Sequence, residues 1–173
     1  MAGQYKDVPL FGGAAHCNVP SVWIDASLLR DIPSHQEVYV HKEGGESVII
    51  EILQHEESVS DEAAGEFFFK DLADADAAVS WQLDSASSVQ PCSFLGAPGT
   101  RIDVSGVQVK GKSGPHAVAA PVGVFMTVFR SPQFQSDILV TCHFDNPTDE
   151  SHNRTVAQTI ADSLQFTDAA LFD

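Results

Sequence analysis

Three sets of residues in this sequence have types and spacings that could do chemistry. The first is Gly106-Val107-Gln108-Val109-Lys110-Gly111-Lys112-Ser113, which matches the phosphate-loop pattern G-x-x-x-x-G-K-[ST] letter for letter. That chemistry needs a buried strand before the loop and a helix after it, so that the helix N-terminus meets the phosphates. Here VQVK alternates as a strand does, and Gly114-Pro115 lead into another apolar strand pattern rather than a helix. Asp137 precedes Ile138–Val140 instead of ending that run, so the magnesium-binding aspartate of a nucleotide site has no counterpart. The stretch is expected to be a hairpin turn kept soluble by Lys110 and Lys112.

The second set is the seven histidines and three cysteines. No two histidines stand at the i, i+4 or H-x-H spacings that aim two ligands at one ion. His16-Cys17 and Cys142-His143 are neighbours on expected strands, where adjacent side chains point to opposite faces. A free cysteine usually packs as a small buried hydrophobe. No G-x-S-x-G elbow is present, and acids are too widespread to single out a catalytic pair. No metal, no cofactor and no covalent catalysis are therefore expected.

The third set is Ile24 to Val40, IDASLLRDIPSHQEVYV. Asp25 suits the cap of a short helical turn over Ala26–Leu29, its carboxylate accepting from free backbone N–H groups. Pro33 is expected to end that turn, because a residue before proline is driven out of the helical region. Glu37, Tyr39 and His41 then alternate with Val38 and Val40, the period of a half-buried strand. Turn, corner and strand edge are expected to gather Asp25, Arg30, Asp31, Gln36 and Glu37 into one polar rim, with Arg30 paired to Asp25 or a neighbouring carboxylate.

The order D-A-S-x-L-R-x-x-P followed by x-x-Q-E-V-Y resembles the Mog-type Ran guanine nucleotide release factors. Pro9-Leu10-Phe11-Gly12-Gly13-Ala14 is similar to that family's opening strand, and Ser163-Leu164 through Asp168 to Leu171-Phe172 to its close. The likeness thus runs almost end to end with little insertion. It implies an α+β fold, an α/β/α sandwich whose mainly antiparallel central sheet carries helices on both faces, as in the PsbP subunit of photosystem II. It also implies binding to the small GTPase Ran, promotion of nucleotide release, support of nuclear protein import, and residence in nucleus and cytoplasm. The family's P-D-x-Q-E stretch is implicated in the Ran contact, and Glu37 carries over directly. Ser34 stands where the family usually has aspartate, and Asp31 nearby partly replaces that charge. The resemblance thus points to Asp25, Asp31, Ser34, Gln36 and Glu37 as partner-binding residues.

Composition agrees with such a reading without specifying it. At 173 residues and 18.6 kDa, with 43% hydrophobic residues, one domain spanning 1–173 is expected to build a core without disulfides or metal. No apolar run approaches the ~20 residues that span a bilayer, and the first residues lack the layout of a signal peptide. Three widely spaced cysteines suit a reducing compartment. The formal charge is −15, and the segment from Asp25 to Asp84 holds 15 of the 24 acids with only three bases. Such a field repels nucleic acid and anionic membrane and favours a basic protein partner. A monomer is expected.

The elements that must position these residues follow from periodicity. Val8 to Val19 reads as one strand bent at Gly12-Gly13, and Val38–Val40 and Val48–Leu53 as a hairpin around Gly44-Gly45. Ser58 to Ala77 reads as a helix opened by a Ser58-x-x-Asp61 capping box, with Ala64, Phe68, Leu72 and Ala75 inward. Ile102, Val104, Val107 and Val109 suggest a strand with a bulge at Gly106, where the apolar row slips by one. Val118–Arg130 reads as a central strand, and Ile138, Val140, Cys142 and Phe144 as the inward row of another. Asp149-Glu150 open a last helix striped by Val156, Ile160 and Leu164. A different class of function remains open on the same scaffold: an acidic adaptor that binds some other basic protein without affecting nucleotide.

Overall fold

The computed structural model describes residues 3–110 and 120–173. The chain opens with a hairpin of β1 (Tyr5–Leu10) and β2 (Ala15–Pro20), then β3 (Trp23–Asp25) and a 3-10 turn at Ala26–Leu28. There follow β4 (Gln36–His41), β5 (Glu46–Gln54), α1 (Asp61–Ala75), β6 (Ala78–Ala86), β7 (Gln90–Phe94) and β8 (Ala97–Lys110). The last elements are β9 (Pro121–Ser131), β10 (Ser136–Phe144), α2 (Glu150–Ser163), β11 (Gln165–Phe166) and a closing 3-10 turn at Ala169–Phe172.

An eight-stranded sheet runs in the order β3-β4-β5-β10-β9-β8-β6, with β7 also paired to β8, and a three-stranded sheet runs β1-β2-β11. Every pairing in both is antiparallel. The segment Val8 to Val19 is thus a hairpin and not a single bent strand: its glycines reverse the chain at Phe11–Gly13. Gly44 and Gly45 turn β4 into β5 with φ of 87° and 90°, a conformation that costs side-chain-bearing residues dearly.

The large sheet is covered on both faces, which is why its central strands are apolar at both parities. On one face α1 sets Ala64, Phe68 and Phe69 against Ile102, Val104, Val124, Met126, Val128 and Leu139. On the other, the small sheet and α2 set Leu10, Cys17, Val19, Val156 and Ile160 against Tyr39, Val48, Ile50, Ile138, Val140 and Phe144. Each Val, Leu, Ile, Phe or Met among them contributes about 1.5–3 kcal/mol by leaving water.

Local details depart from the sequence expectation at three places. Helix α1 is capped by Ser60, whose Oγ accepts from Ala63 N at 3.3 Å, while Ser58 instead bonds Glu56 in the preceding turn. The 3-10 turn after Asp25 closes at Leu29, four residues before Pro33. Strand β8 runs against β9 without a slip, and the irregularities sit in β6, between Ala78 and Ser80 and, opposite Gly106, between Leu83 and Ser85. Gly106 is there to let strands approach: a Cβ would lie 2.1 Å from Gln82 O and 2.8 Å from Phe69 Cζ. The first residues of the G-x-x-x-x-G-K-S pattern are therefore β-strand, and the expected turn at Gly111–Ser113 lies outside the described residues, as do Val118 and Ala119.

A buried ion pair ties the entry of α1 to the β9–β10 hairpin. Arg130 is 1% exposed and Asp137 0%, and they face each other across the ladder with Arg130 Nε 3.1 Å from Asp137 Oδ1. Arg130 also donates to Glu56 O (2.6 Å), Val59 O (2.8 Å) and Asp61 Oδ1 (3.0 Å). Asp137 takes the Glu56 N–H at 2.9 Å and lies 2.7 Å from His55 Nδ1. Each nitrogen of the Arg130 guanidinium and both carboxylate oxygens of Asp137 have a partner, the condition under which a buried pair is tolerated.

Candidate functional site

The acidic corner is built on the free edge of the large sheet. Strand β3 is its outermost strand, and Asp25, the last residue of β3, stands opposite Tyr39 of β4. The Asp25 carboxylate accepts from Ser27 N at 2.8 Å and so caps the 3-10 turn. Buried Ala26 anchors that turn, and Leu29 N and Arg30 N both reach Ala26 O, at 2.9 and 3.1 Å. This wedges Leu28 and Leu29 outward at 78% and 67% exposure. Arg30, Asp31, Pro33, Ser34 and His35 continue as an exposed loop until Gln36 N returns to Pro33 O at 3.0 Å.

The pleat then splits the rim. Gln36 lies on the α1 face, where its amide donates to Glu51 Oε2 beside His35 Nε2, itself 3.6 Å from that oxygen. Glu37, one residue later, lies on the opposite face and reaches the small sheet, its Oε1 accepting the Phe11 N–H at 2.7 Å. Phe11 has φ of 51°, the left-handed region that costs a side-chain-bearing residue about 1–2 kcal/mol. The Glu37 carboxylate thereby holds a strained turn of the β1–β2 hairpin. The expected single rim is two clusters joined by an exposed loop: Asp25 with Glu37 on one face, Gln36 with Glu51 on the other, Asp31 and Ser34 between. Arg30 makes no ion pair among the described residues; its side chain is exposed, and the expected bridge to Asp25 is absent.

Burial and charge act together on the Glu37 face. Desolvation pushes the Glu37 carboxyl above the usual carboxylate range; the Phe11 N–H opposes this, and the Asp25 charge reinforces it. The Tyr39 phenol beside them is pushed up to about 12, first by burial and then by Asp25 and Glu37. Asp25 and Glu37 are thus two carboxylates on one face of the sheet edge, neither of them paired with a cation among the described residues. The thiols behave otherwise: burial pushes Cys17 up to about 12 and raises Cys142 and Cys92, so all three stay protonated at neutral pH and none is an activated nucleophile. Among the described residues no group of three or more His, Cys, Asp or Glu side chains is placed to hold a metal ion.

Sequence reasoning missed Leu28 and Leu29 as exposed apolar residues, although the doublet after a capping Asp-Ala-Ser was in view. It also missed Phe11 as the partner of Glu37. No local signal marks that contact, which joins positions 26 residues apart.

Fold and edge together define a PsbP-like α/β/α sandwich carrying a doublet of carboxylates on its open edge. The solution structure of cyanobacterial PsbP from Synechocystis matches 96% of this chain and 94% of its own, with a TM-score of 0.63 at 12% identity, a likeness of fold alone. The chain belongs to the Ran-interacting Mog1 protein family, whose model matches residues 8–145. A Ran guanine nucleotide release factor of Danio rerio is 36% identical over 83% of this chain and 81% of its own. The nuclear import protein MOG1 of Saccharomyces cerevisiae is 30% identical over 79% of this chain and 64% of its own. The crystal structure of the S. cerevisiae Ran-binding protein Mog1p covers 99% of this chain and 100% of its own, with a TM-score of 0.77 at 23% identity.

Proposed function

We propose that this chain binds the small GTPase Ran, promotes release of its guanine nucleotide, and supports nuclear protein import from both nucleus and cytoplasm. The observation that carries the reading is Glu37: a half-buried carboxylate beside Asp25, its ordinary acidity opposed by desolvation and by a like charge. Folding uses Glu37 to hold the Phe11 N–H but gains nothing from the like charge beside it, and such a perturbed pair at an accessible edge is a candidate recognition site. The family, and relatives named for Ran and for nuclear import, support the choice of partner.

The contact surface in this reading is Asp25, Asp31, Ser34, Gln36 and Glu37, with Leu28 and Leu29 as the apolar anchor at its centre. An apolar centre ringed by charge is the common plan of a protein interface. The protein acts as a monomer, and its net charge of −15 steers it toward basic surfaces and away from nucleic acid and anionic membrane. No covalent step is involved. A partner that binds vacant Ran more tightly than loaded Ran must, by linkage, weaken nucleotide binding by the same factor. A tenfold effect needs about 1.4 kcal/mol of differential affinity, within the reach of one charge-assisted contact made only in the vacant state.

The test is to mix the protein with Ran carrying a fluorescent guanine nucleotide and follow its loss into excess unlabelled nucleotide. Release accelerated in proportion to added protein is expected. Unchanged release with no complex formed would instead favour the adaptor reading, in which the acidic edge meets some other basic protein, and which the replacement of the family's aspartate by Ser34 recommends.

A further inference from the structure

Gln36, on the α1 face of the sheet, opens into a slot of about 200 Å³ between that helix and strands β4, β5 and β10. Sites that take a whole small molecule are larger, roughly 300–1,000 Å³; this one has room for a single side chain. Strand pairing builds it in two rows. Gln36, Glu51 and Leu139 lie side by side across β4, β5 and β10, with Ile49 and Thr141 in the next row. Asp71 and Leu72 of α1 close the other side. Ile49, Leu72 and Leu139 make the slot apolar within, and its polar groups are carboxylates, the Gln36 amide and the Thr141 hydroxyl.

Two features say which side chain would fit. The first is charge. Glu51, Asp71 and Asp76 line the slot, and no lysine or arginine does among the described residues. Glu51 engages Gln36 and His35 through Oε2, which leaves Oε1. Asp76 turns Oδ2 to His143 at 3.5 Å, whereas Asp71 is exposed and makes no ion pair among the described residues. The second feature is Thr141. Its side chain is only 4% exposed, and its hydroxyl has no hydrogen-bond partner among the described residues. That oxygen is not one of the polar atoms sealed from the surface, so it faces the slot it lines. A buried hydroxyl without a partner calls for one. Acceptors around an apolar interior suit a group that only donates and sheds its water readily, and the guanidinium is that group.

We propose that this slot receives an arginine side chain of the partner protein: the alkyl stem packs on Ile49, Leu72 and Leu139, while the guanidinium donates to Glu51 Oε1, Asp71 and Thr141 Oγ1. Gln36 belongs both to the slot and to the acidic corner, so a protein seated on the corner reaches the slot with the same surface. The inference takes its partner, Ran, from the reading of that corner, and its chemistry from the slot alone.

In protein labelled with ¹³C at its methyl groups, the Ile49, Leu139 and Thr141 resonances report on the slot. Nα-acetyl-L-arginine amide should shift them along a saturating curve, with a dissociation constant on the order of 10 mM for a single side chain. Nα-acetyl-L-citrulline amide, the same shape without the charge, should leave them in place, and Nα-acetyl-L-lysine amide should bind at least threefold more weakly. Asp71→Asn should weaken the arginine compound at least threefold. Glu62→Gln removes the same charge about two and a half turns earlier, on the opposite side of α1, and should have no such effect. Ala75→Phe, at an exposed position that lines the slot, should abolish the shifts while the rest of the spectrum stays native, and should weaken the complex with Ran at least fivefold. No saturable shift up to about 100 mM, an equal curve with the citrulline or lysine compound, or a Ran complex that Ala75→Phe leaves as tight as the parent's would each overturn the inference. A parent protein that binds no Ran would instead overturn the Ran reading, and the arginine titration would still decide the slot.

Discussion

Replacing Glu37 by glutamine separates the two tasks assigned to that residue. The amide oxygen of Gln can still accept the Phe11 N–H that Glu37 takes at 2.7 Å, but the charge beside Asp25 is gone. A hydrogen bond to a charged acceptor contributes about 1.5–3 kcal/mol and a neutral one about 0.5–1.5, so roughly 1 kcal/mol is lost there. Against this, the desolvation and the Asp25 repulsion that raise the Glu37 carboxyl also vanish. The two changes offset, and Glu37→Gln should unfold in urea within about 1 kcal/mol of the parent. Glu37→Ala is different: it leaves the Phe11 N–H without an acceptor and frees a turn held at φ of 51°, costing about 1–3 kcal/mol. Glu37→Lys, which removes the acceptor and adds a like-signed neighbour to that N–H, should lose at least as much.

The sign of the pH dependence follows from the raised carboxyl. A group that binds its proton more tightly when folded adds stability below its unfolded value and loses it as pH rises through the folded one. The stability of the parent relative to Glu37→Gln should therefore be greatest in acid, below the ordinary 4.5 of a glutamate, and decline above it. In the release assay Glu37→Gln should fall at least tenfold while its fold persists. If it accelerates nucleotide release as well as the parent does, the charge at position 37 is not the contact and the reasoning fails.

Other perturbations separate the corner from its support. Asp31→Lys, on the exposed loop, should leave unfolding within about 0.5 kcal/mol of the parent but slow association with Ran most at low salt, measured by stopped flow. Ser34→Asp should raise the association rate, and no change in either variant would remove the loop from the interface. Arg130→Met strands a wholly buried Asp137 and should cost about 3–5 kcal/mol, lowering Tm by roughly 10 °C; adding Asp137→Leu should recover most of that loss. Gly106→Ala places a Cβ 2.1 Å from Gln82 O and should cost at least about 2 kcal/mol in urea unfolding by forcing β6 from β8.

The parts of this fold carried by short-range pattern were legible in the sequence. The β4–β5 hairpin followed from Gly44-Gly45 between alternating strands, the Asp25 cap from Asp-Ala-Ser, and α2 from its apolar stripe. Features set by distant contacts were not. Gln36 and Glu37 read as one rim because they are adjacent, yet adjacency in a strand is what separates them onto two faces. Gly106 looked like a bulge because the apolar row shifts there, whereas β8 keeps its register against β9, the extra residue lies opposite in β6, and a ring from α1 fills the space. Arg130 and Asp137, seven residues apart, carry no local signal that they pair; only the β9–β10 pairing and the cover of α1 bury them together. The partner-binding role proposed for the corner rests on resemblance, since charge and period specify an acidic edge and nothing about what meets it.

The central claim is that this edge prefers Ran without its nucleotide. The direct measurement is the affinity of the protein for vacant Ran and for Ran loaded with GDP or GTP, compared by calorimetry at one ionic strength. Vacant Ran should bind at least tenfold more tightly, about 1.4 kcal/mol, and the gap should close in Glu37→Gln. Equal affinity for the vacant and loaded forms would contradict the account.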